Sequence, residues 1–342
     1  MMKKFLTLPL ALCLTATCLA GCGGTSAASA STAESASATA AASAAADAGS
    51  KKLVVGFAQI GQESGWRDAE TASIQEYAKE HADAIDLQFA DAQQKQENQI
   101  KAIKSFIEMG VDVIGLAPVV ETGWDAVFAE AKDAGIPIIL VDRKADVSDD
   151  LYATFIGSDF IQEGQNAAKE MGTLLNGQGN IVILEGTVGA SAANDRQTGF
   201  KDELAKDYPN IKILDSQTGD FTRAKGKEVM ESFLKSYGDK INGVYAHNDD
   251  MMLGAIEAIK EAGMKPGTDI KTVSVDGVKG LFEAMAAGEA NVTVECNPLL
   301  GPQFFETAQK LANGEKVDKW IKSDESIYRQ DTAAADLPNR KY

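Results

Sequence analysis

From residue 53 onward, short runs of β-branched and aliphatic residues alternate with longer stretches in which apolar positions recur every three or four residues. The runs predict strands over 53–58, 85–90, 111–117 and 137–141, then 152–157, 180–184, 211–215, 243–246 and 270–275. The stretches between them carry the helical period. In 96–109, Ile100, Ile103, Phe106 and Ile107 fall on one face; in 224–237, Val229, Met230, Phe233 and Leu234 do the same. Strand–helix–strand alternation makes parallel sheets with helices on both faces. The unbroken apolar run Ile136-Pro-Ile-Ile-Leu-Val141 fits a strand covered on both sides. Two such sets follow one another, divided near residue 156, and predict two α/β domains of comparable size.

The first fifty residues break this pattern. Lys3 and Lys4 precede an uncharged apolar run from Phe5 to Ala20, shorter than the roughly 20 residues a spanning helix needs. It closes with Leu19-Ala20-Gly21-Cys22, which resembles the lipobox of bacterial lipoproteins. That resemblance implies a signal over 1–22 and an acylated Cys22 as the first residue of the mature chain, held to a membrane by buried methylenes. Residues 23–50 are almost wholly Ala, Ser, Thr and Gly, with only Glu34 and Asp47 charged. So little large apolar surface cannot offset the entropy of ordering, and a flexible tether is expected.

Composition narrows the function. The 342 residues are enough for two domains with their own cores. Acidic residues outnumber basic ones 50 to 33, a formal charge of −17 that repels phosphate backbones and excludes nucleic acid as a partner. Two histidines, His81 and His247, give little material for a metal site or a general base, and neither metal nor cofactor is expected. With Cys13 and Cys18 in the signal and Cys22 at the lipid site, Cys296 stands alone in an apolar strand context, as a buried and inert thiol.

Polar residues collect just past the strands, where ligands sit in open α/β sheets. Glu63-Ser-Gly-Trp-Arg67 follows the first strand and Asp142-Arg143 follows 137–141. A glycine-rich stretch with Arg196 on the next helix follows 180–184; Asn248-Asp249 follows 243–246, and Asp276-Gly277 follows 270–275. The mix suits a carbohydrate. Sugar hydroxyls donate and accept, so carboxylates can accept from them while planar guanidinium groups donate two bonds in a fixed fork. The C–H face of a sugar ring needs a flat partner, for which Trp66 and Phe221 are the candidates.

Singly, each feature has a plainer account. Asp142-Arg143 could be a surface ion pair, Asn248 or Asp249 an N-cap for 251–262, Asp276-Gly277 a turn and Trp66 core. Joint placement at five strand ends is what favours a site. The polar run 93–98 reads as the solvated start of a helix. Trp124, just after Thr122 as an N-cap, is either rim or core. Gly186 to Gly189 lacks the lysine and spacing of a nucleotide cradle.

Over 53–328 the chain resembles the type I periplasmic sugar-binding proteins, relatives of the ribose and galactose binders. Glu63-Ser-Gly-Trp-Arg67, Ala117-Pro-Val-Val-Glu-Thr-Gly-Trp124, Gly219-Asp-Phe-Thr-Arg223 and Tyr245-Ala-His-Asn-Asp-Asp250 are most similar to the galactofuranose-binding members. The resemblance implies an α/β fold of two Rossmann-like lobes joined by a three-segment hinge, with crossings near Gly157, Glu295 and Ser326. It places 51–156 with 295–325 in one lobe and 157–294 with 326–342 in the other. It implies ligand contacts from Glu63, Ser64, Gly65, Trp66, Arg67, Asp142, Arg143, Arg196, Phe221, Asn248 and Asp276, and no catalysis. The implied protein is a monomer on the extracytoplasmic membrane face that closes on a monosaccharide and hands it to an ABC permease.

Where ribose binders carry two phenylalanines, Trp66-Arg67 stands here, which favours a furanose with a polar exocyclic arm. The same clamp would serve a sensor feeding a chemoreceptor or histidine kinase. A repressor of the lactose-repressor type would need a DNA-reading helix-turn-helix where this chain has its signal and tether. A glycosidase would need two free carboxylates about 5–10 Å apart; Asp142 and Asp276 are read instead as holding hydroxyls.

Overall fold

The structure, a computed structural model, describes residues 51–342; the signal, Cys22 and the tether expected for 1–50 lie outside the described residues. Two six-stranded sheets organise the chain. In the first, β2 (Ile85–Asp91) forms one edge, followed by β1 (Leu53–Gln59), β3 (Val113–Leu116), β4 (Ile138–Val141), β5 (Thr154–Gly157) and β11 (Trp320–Lys322), all parallel. The second runs β7 (Asn210–Thr218), β6 (Gln178–Glu185), β8 (Gly243–Ala246), β9 (Lys271–Asp276) and β10 (Val292–Glu295), and closes with an antiparallel β12 (Ile327–Arg329). The chain passes between the sheets three times: after β5, after β10 and between β11 and β12.

The central strands explain why their sequences read as continuous apolar runs. Every residue of β3, β4, β5, β8 and β10 is buried. Side chains alternate between faces with period two. In β4, Ile138 and Leu140 pack with Phe106 of α2 (Gln96–Met109) and Phe128 of α3 (Asp125–Asp133), while Ile139 and Val141 pack with Ile74 of α1 (Gly65–Glu80) and Phe304 of α9 (Gly301–Ala312). A strand with helices on both sides has no solvated face on which to place a polar residue.

The second lobe builds one continuous core from α4 (Phe160–Leu174), α5 (Ser191–Asp207), α6 (Arg223–Tyr237), α7 (Asp249–Glu261), α8 (Lys279–Ala286) and α10 (Gln330–Asp336). α4 and α5 touch backbone to backbone through glycine: a Cβ on Gly164 would lie 2.3 Å from the Arg196 carbonyl oxygen, and one on Gly199 2.1 Å from that of Ile161.

Some details differ from the sequence reading. The third and fifth strands are shorter than 111–117 and 152–157. The register of β6 against β7, on which the sequence is silent, slips between Ile181 and Val182. Thr122 does not cap the following helix, which starts at Asp125 with Trp124 at the N-cap position. Trp124 is core: it is fully buried, its Nε1 donates to the Val120 carbonyl at 2.7 Å, and its ring lies 6.1 Å from that of Phe128.

Candidate ligand-binding site

The carboxyl ends of strands from both sheets converge on one cavity. It is lined from the first lobe by Glu63, Ser64, Trp66, Arg67, Asp142 and Arg143, from the second by Ala192, Arg196, Phe221, Asn248 and Asp276, and by Cys296 at the crossing just after β10. Local structure aims these groups inward. Ser64 caps α1, its Oγ accepting from the Arg67 N–H at 3.2 Å, so that Trp66 and Arg67 occupy the buried first turn. Asn248 caps α7 through Oδ1, which accepts from the Met251 N–H at 3.0 Å, and its Nδ2 donates to the Phe221 carbonyl at 3.0 Å. Asp142, Phe221 and Asp276 hold φ angles of 62°, 60° and 130°, conformations that non-glycine residues rarely adopt. Backbone strain of this kind persists where the surroundings over-determine it, and here it falls on three cavity residues.

The guanidinium groups are already paired. Arg67 donates Nη2 to Asp142 at 2.5 Å, Nη1 to Glu70, and Nε and Nη2 to Glu63 at 3.3 Å. Arg143 donates Nη2 to Glu63 at 2.5 Å; its Nε is buried without a partner, and its guanidinium lies 5.1 Å from the centre of the Phe221 ring. Arg196 donates Nε to Glu163 at 2.7 Å and Nη1 to the His247 carbonyl at 2.7 Å, with Nη2 3.9 Å from Asp276. Burial works against the charge of Arg67, yet Glu70, Asp142 and Glu63 outweigh it and raise its pKa well above the usual arginine value. Arg143, with burial and two neighbouring arginines against it, is shifted down. Burial pushes the Asp276 carboxyl well above the carboxylate range, which favours the neutral acid, able both to donate to and to accept from a hydroxyl.

The cavity is shut at its edges. Across the crevice the Glu121 N–H donates to the Gly189 carbonyl at 2.9 Å, Asn194 Nδ2 to Glu121 Oε2 at 2.5 Å, and the Lys144 N–H to Ser191 Oγ at 2.9 Å. Trp66 Nε1 donates to the Cys296 carbonyl at 2.6 Å.

Of the residues singled out in the sequence, Gly65 does not line the cavity; its N–H donates instead to Asp250 at 2.8 Å, another bond between the lobes. The other ten are brought together. Ala192 and Cys296 line the cavity without having been singled out for it, and Glu70 and Glu163 support it from behind. Glu70 and Glu163 look like ordinary helix-surface carboxylates in the sequence. Glu70 lies one turn from Arg67, a weak signal; Glu163 lies 33 residues from Arg196 and leaves none. His247 is buried against Gly186 and Gln197, and Cys296 is a buried thiol whose pKa burial and then Glu163 raise.

Residues 55–316 match the model of the periplasmic binding protein domain. The chain belongs to the periplasmic binding protein family. It is 52% identical over 294 residues to the galactofuranose-binding protein YtfQ of Escherichia coli, covering 84% of this chain and 92% of that protein. The periplasmic binding protein component of the arabinose ABC transporter of Shewanella sp. ANA-3, bound to α- and β-L-arabinofuranose, superposes with a TM-score of 0.81 at 52% identity, covering 84% of this chain and 95% of that one. A Mycobacterium smegmatis protein in complex with β-D-fucofuranose gives 0.81 at 54% identity, covering 85% and 95%. Periplasmic binding proteins of this kind serve transporters as extracytoplasmic solute binders and are not enzymes.

Proposed function

We propose that this chain binds a free, uncharged furanose, galactofuranose or a close analogue, between its lobes and delivers it to an ABC permease. The pairing of Arg67, Arg143 and Arg196 with carboxylates carries this reading. No guanidinium is left over to neutralise a phosphate or carboxylate, so a charged ligand would face acidic groups, while a polyol finds donors and acceptors on both sides. Trp66 and Phe221 supply apolar surface for C–H groups. Glu63, Ser64, Trp66, Arg67, Asp142 and Arg143 act from the lobe 51–156 with 295–325; Arg196, Phe221, Asn248 and Asp276 act from 157–294 with 326–342. A ligand touching both lobes has more contacts in the closed form, so it shifts the equilibrium toward closure by its differential affinity. The relatives named above carry or are named for three furanoses, which supports the ring size.

Titration calorimetry against D-galactose, L-arabinose, D-fucose, D-ribose and galactose 6-phosphate tests the reading. Binding is expected for the first three and none for the phosphate ester; tight binding of the ester, or of no sugar at all, overturns it. We further propose that the protein works as a monomer tethered by lipid on Cys22. The mass of the mature N-terminus and the sedimentation of the folded chain check these two points.

A further inference from the structure

Behind the floor of the ligand cavity, a second pocket opens between the start of α4, β10 and the last connection between the lobes. Glu163 stands in the wall between the two. Its Oε2 accepts from Arg196, whereas its Oε1 is buried with no nitrogen or oxygen donor, in a side chain only 2% exposed; the Cys296 thiol beside it is a weak donor. A carboxylate oxygen stripped of water and left with a thiol alone is costly. Glu325 as an anion would add repulsion: it, Cys296 and Glu163 each offer an atom, and the three atoms lie within 4.8 Å of one another. Glu325 is itself held in place, its Oε1 accepting from the Ser158 hydroxyl and from the Asn297 N–H at 3.4 Å.

We infer that Glu325, beside the Glu163 carboxylate, holds a bound proton, so that the junction between the lobes is a proton-binding site whose occupancy holds Arg196 in its place at the ligand cavity. The charged groups around the pair leave it short of positive charge. Arg196 faces it from α5, Cys296 from the end of β10, Tyr245 from β8, and Asp142 and Asp276 from beyond the cavity floor. Asp159, Lys322 and Asp324 line the second pocket, and Lys322 is already taken by Asp159 at 3.0 Å. A divalent cation would sit on a carboxylate that already holds a guanidinium, beside a thiol that burial keeps protonated. A proton meets neither objection. Burial and then the Glu163 carboxylate raise the Glu325 pKa to about 8.

A carboxyl raised above its ordinary range stabilises the packed state fully below that range, and the contribution is lost as pH rises through the raised value. Between mildly acidic and mildly alkaline pH, Glu325 therefore gains a charge that repels Glu163 and competes for Arg196. The cavity should weaken as the medium turns alkaline.

Carbon-13 titration of the glutamate side-chain carboxyls in the full chain tests the proton site directly. One carboxyl is expected to titrate near or above neutral pH and to disappear in Glu325→Gln. Titration of every glutamate below pH 6, or a shift of the high midpoint on adding EDTA, overturns the inference. A second arm rests on the proposed furanose reading and uses L-arabinose as probe. Its affinity is expected to fall several-fold between pH 6 and pH 9 in the wild type and clearly less in Glu325→Gln, which keeps the neutral form and leaves only the Asp276 carboxyl to titrate at the cavity. The same fall in both proteins overturns the coupling. If Glu325→Gln does not fold, the wild-type carbon titration still decides, and if L-arabinose does not bind at any pH the ligand reading fails while the titration stands or falls alone.

Discussion

Three arginines are held in orientation at the cavity by the protein itself, each by a carboxylate in a buried setting. Preorganisation of this kind lowers the ordering cost of binding. A charged hydrogen bond contributes about 1.5–3 kcal/mol, so Arg143→Ala or Arg196→Ala should weaken sugar binding about tenfold or more. Calorimetry on variants with unchanged circular dichroism checks this, and full affinity in both would remove these residues from the site. Loss of a partner is different from loss of the arginine. Glu163→Ala would leave buried Arg196 with only Asp276 at 3.9 Å for a counter-charge, and breaking a buried pair in this way costs about 3–5 kcal/mol, read as a drop in the denaturant midpoint.

At this scale the sequence was informative where chemistry sits next to a strand end, as in Asp142-Arg143 and Asp276-Gly277. It was silent where partners meet only through the fold, as with Glu163 and Arg196. For Asn248 the capping account holds and the residue also lines the cavity, with Oδ1 taken by the Met251 N–H and Nδ2 by the Phe221 carbonyl.

Among the elements, α4 and α5 decide where Arg196 sits. Their backbones meet at Gly164 and Gly199, and neither position has room for a methyl group. Gly199→Ala should force the helices apart, cost about 1–3 kcal/mol in stability and weaken binding by moving Arg196. Chemical denaturation and calorimetry on the same variant measure both effects; unchanged values would show that the contact relaxes freely. The alternation of strands and helices was legible because buried strands and amphipathic helices carry different periods. β11 and β12 were not, since three residues at a sheet edge are too few to show a period, and the slip between β6 and β7 depends on pairing that no local pattern records.

Across the whole molecule, the lobes meet through bonds near the rim of the cavity. Glu121 contributes two of them, its N–H to Gly189 and its side chain to Asn194, and Asp250 reaches over to the Gly65 N–H. Such bonds favour closure whatever the ligand's identity. Glu121→Ala should lower sugar affinity a few-fold through a larger open population while leaving the lining residues in place. Small-angle scattering without sugar would show a larger radius of gyration than wild type; identical curves would refute a latch at this position. That two lobes would face each other over a shared crevice could be read from the repeated strand ends. The latch could not, because it joins a loop of one lobe to a loop and the start of α5 more than sixty residues away, and half of it is backbone.

The indole of Trp66 has a use beyond contact. Of the three tryptophans, Trp124 is sealed in the first lobe and Trp320 is partly open to solvent beside β5, so Trp66 alone lines the ligand cavity. Its ring nitrogen is tied to the backbone at Cys296, where the chain leaves the second sheet. Intrinsic emission from this one chromophore therefore senses both the occupant and the angle between the lobes, and the unlabelled protein carries its own optical gauge of occupancy.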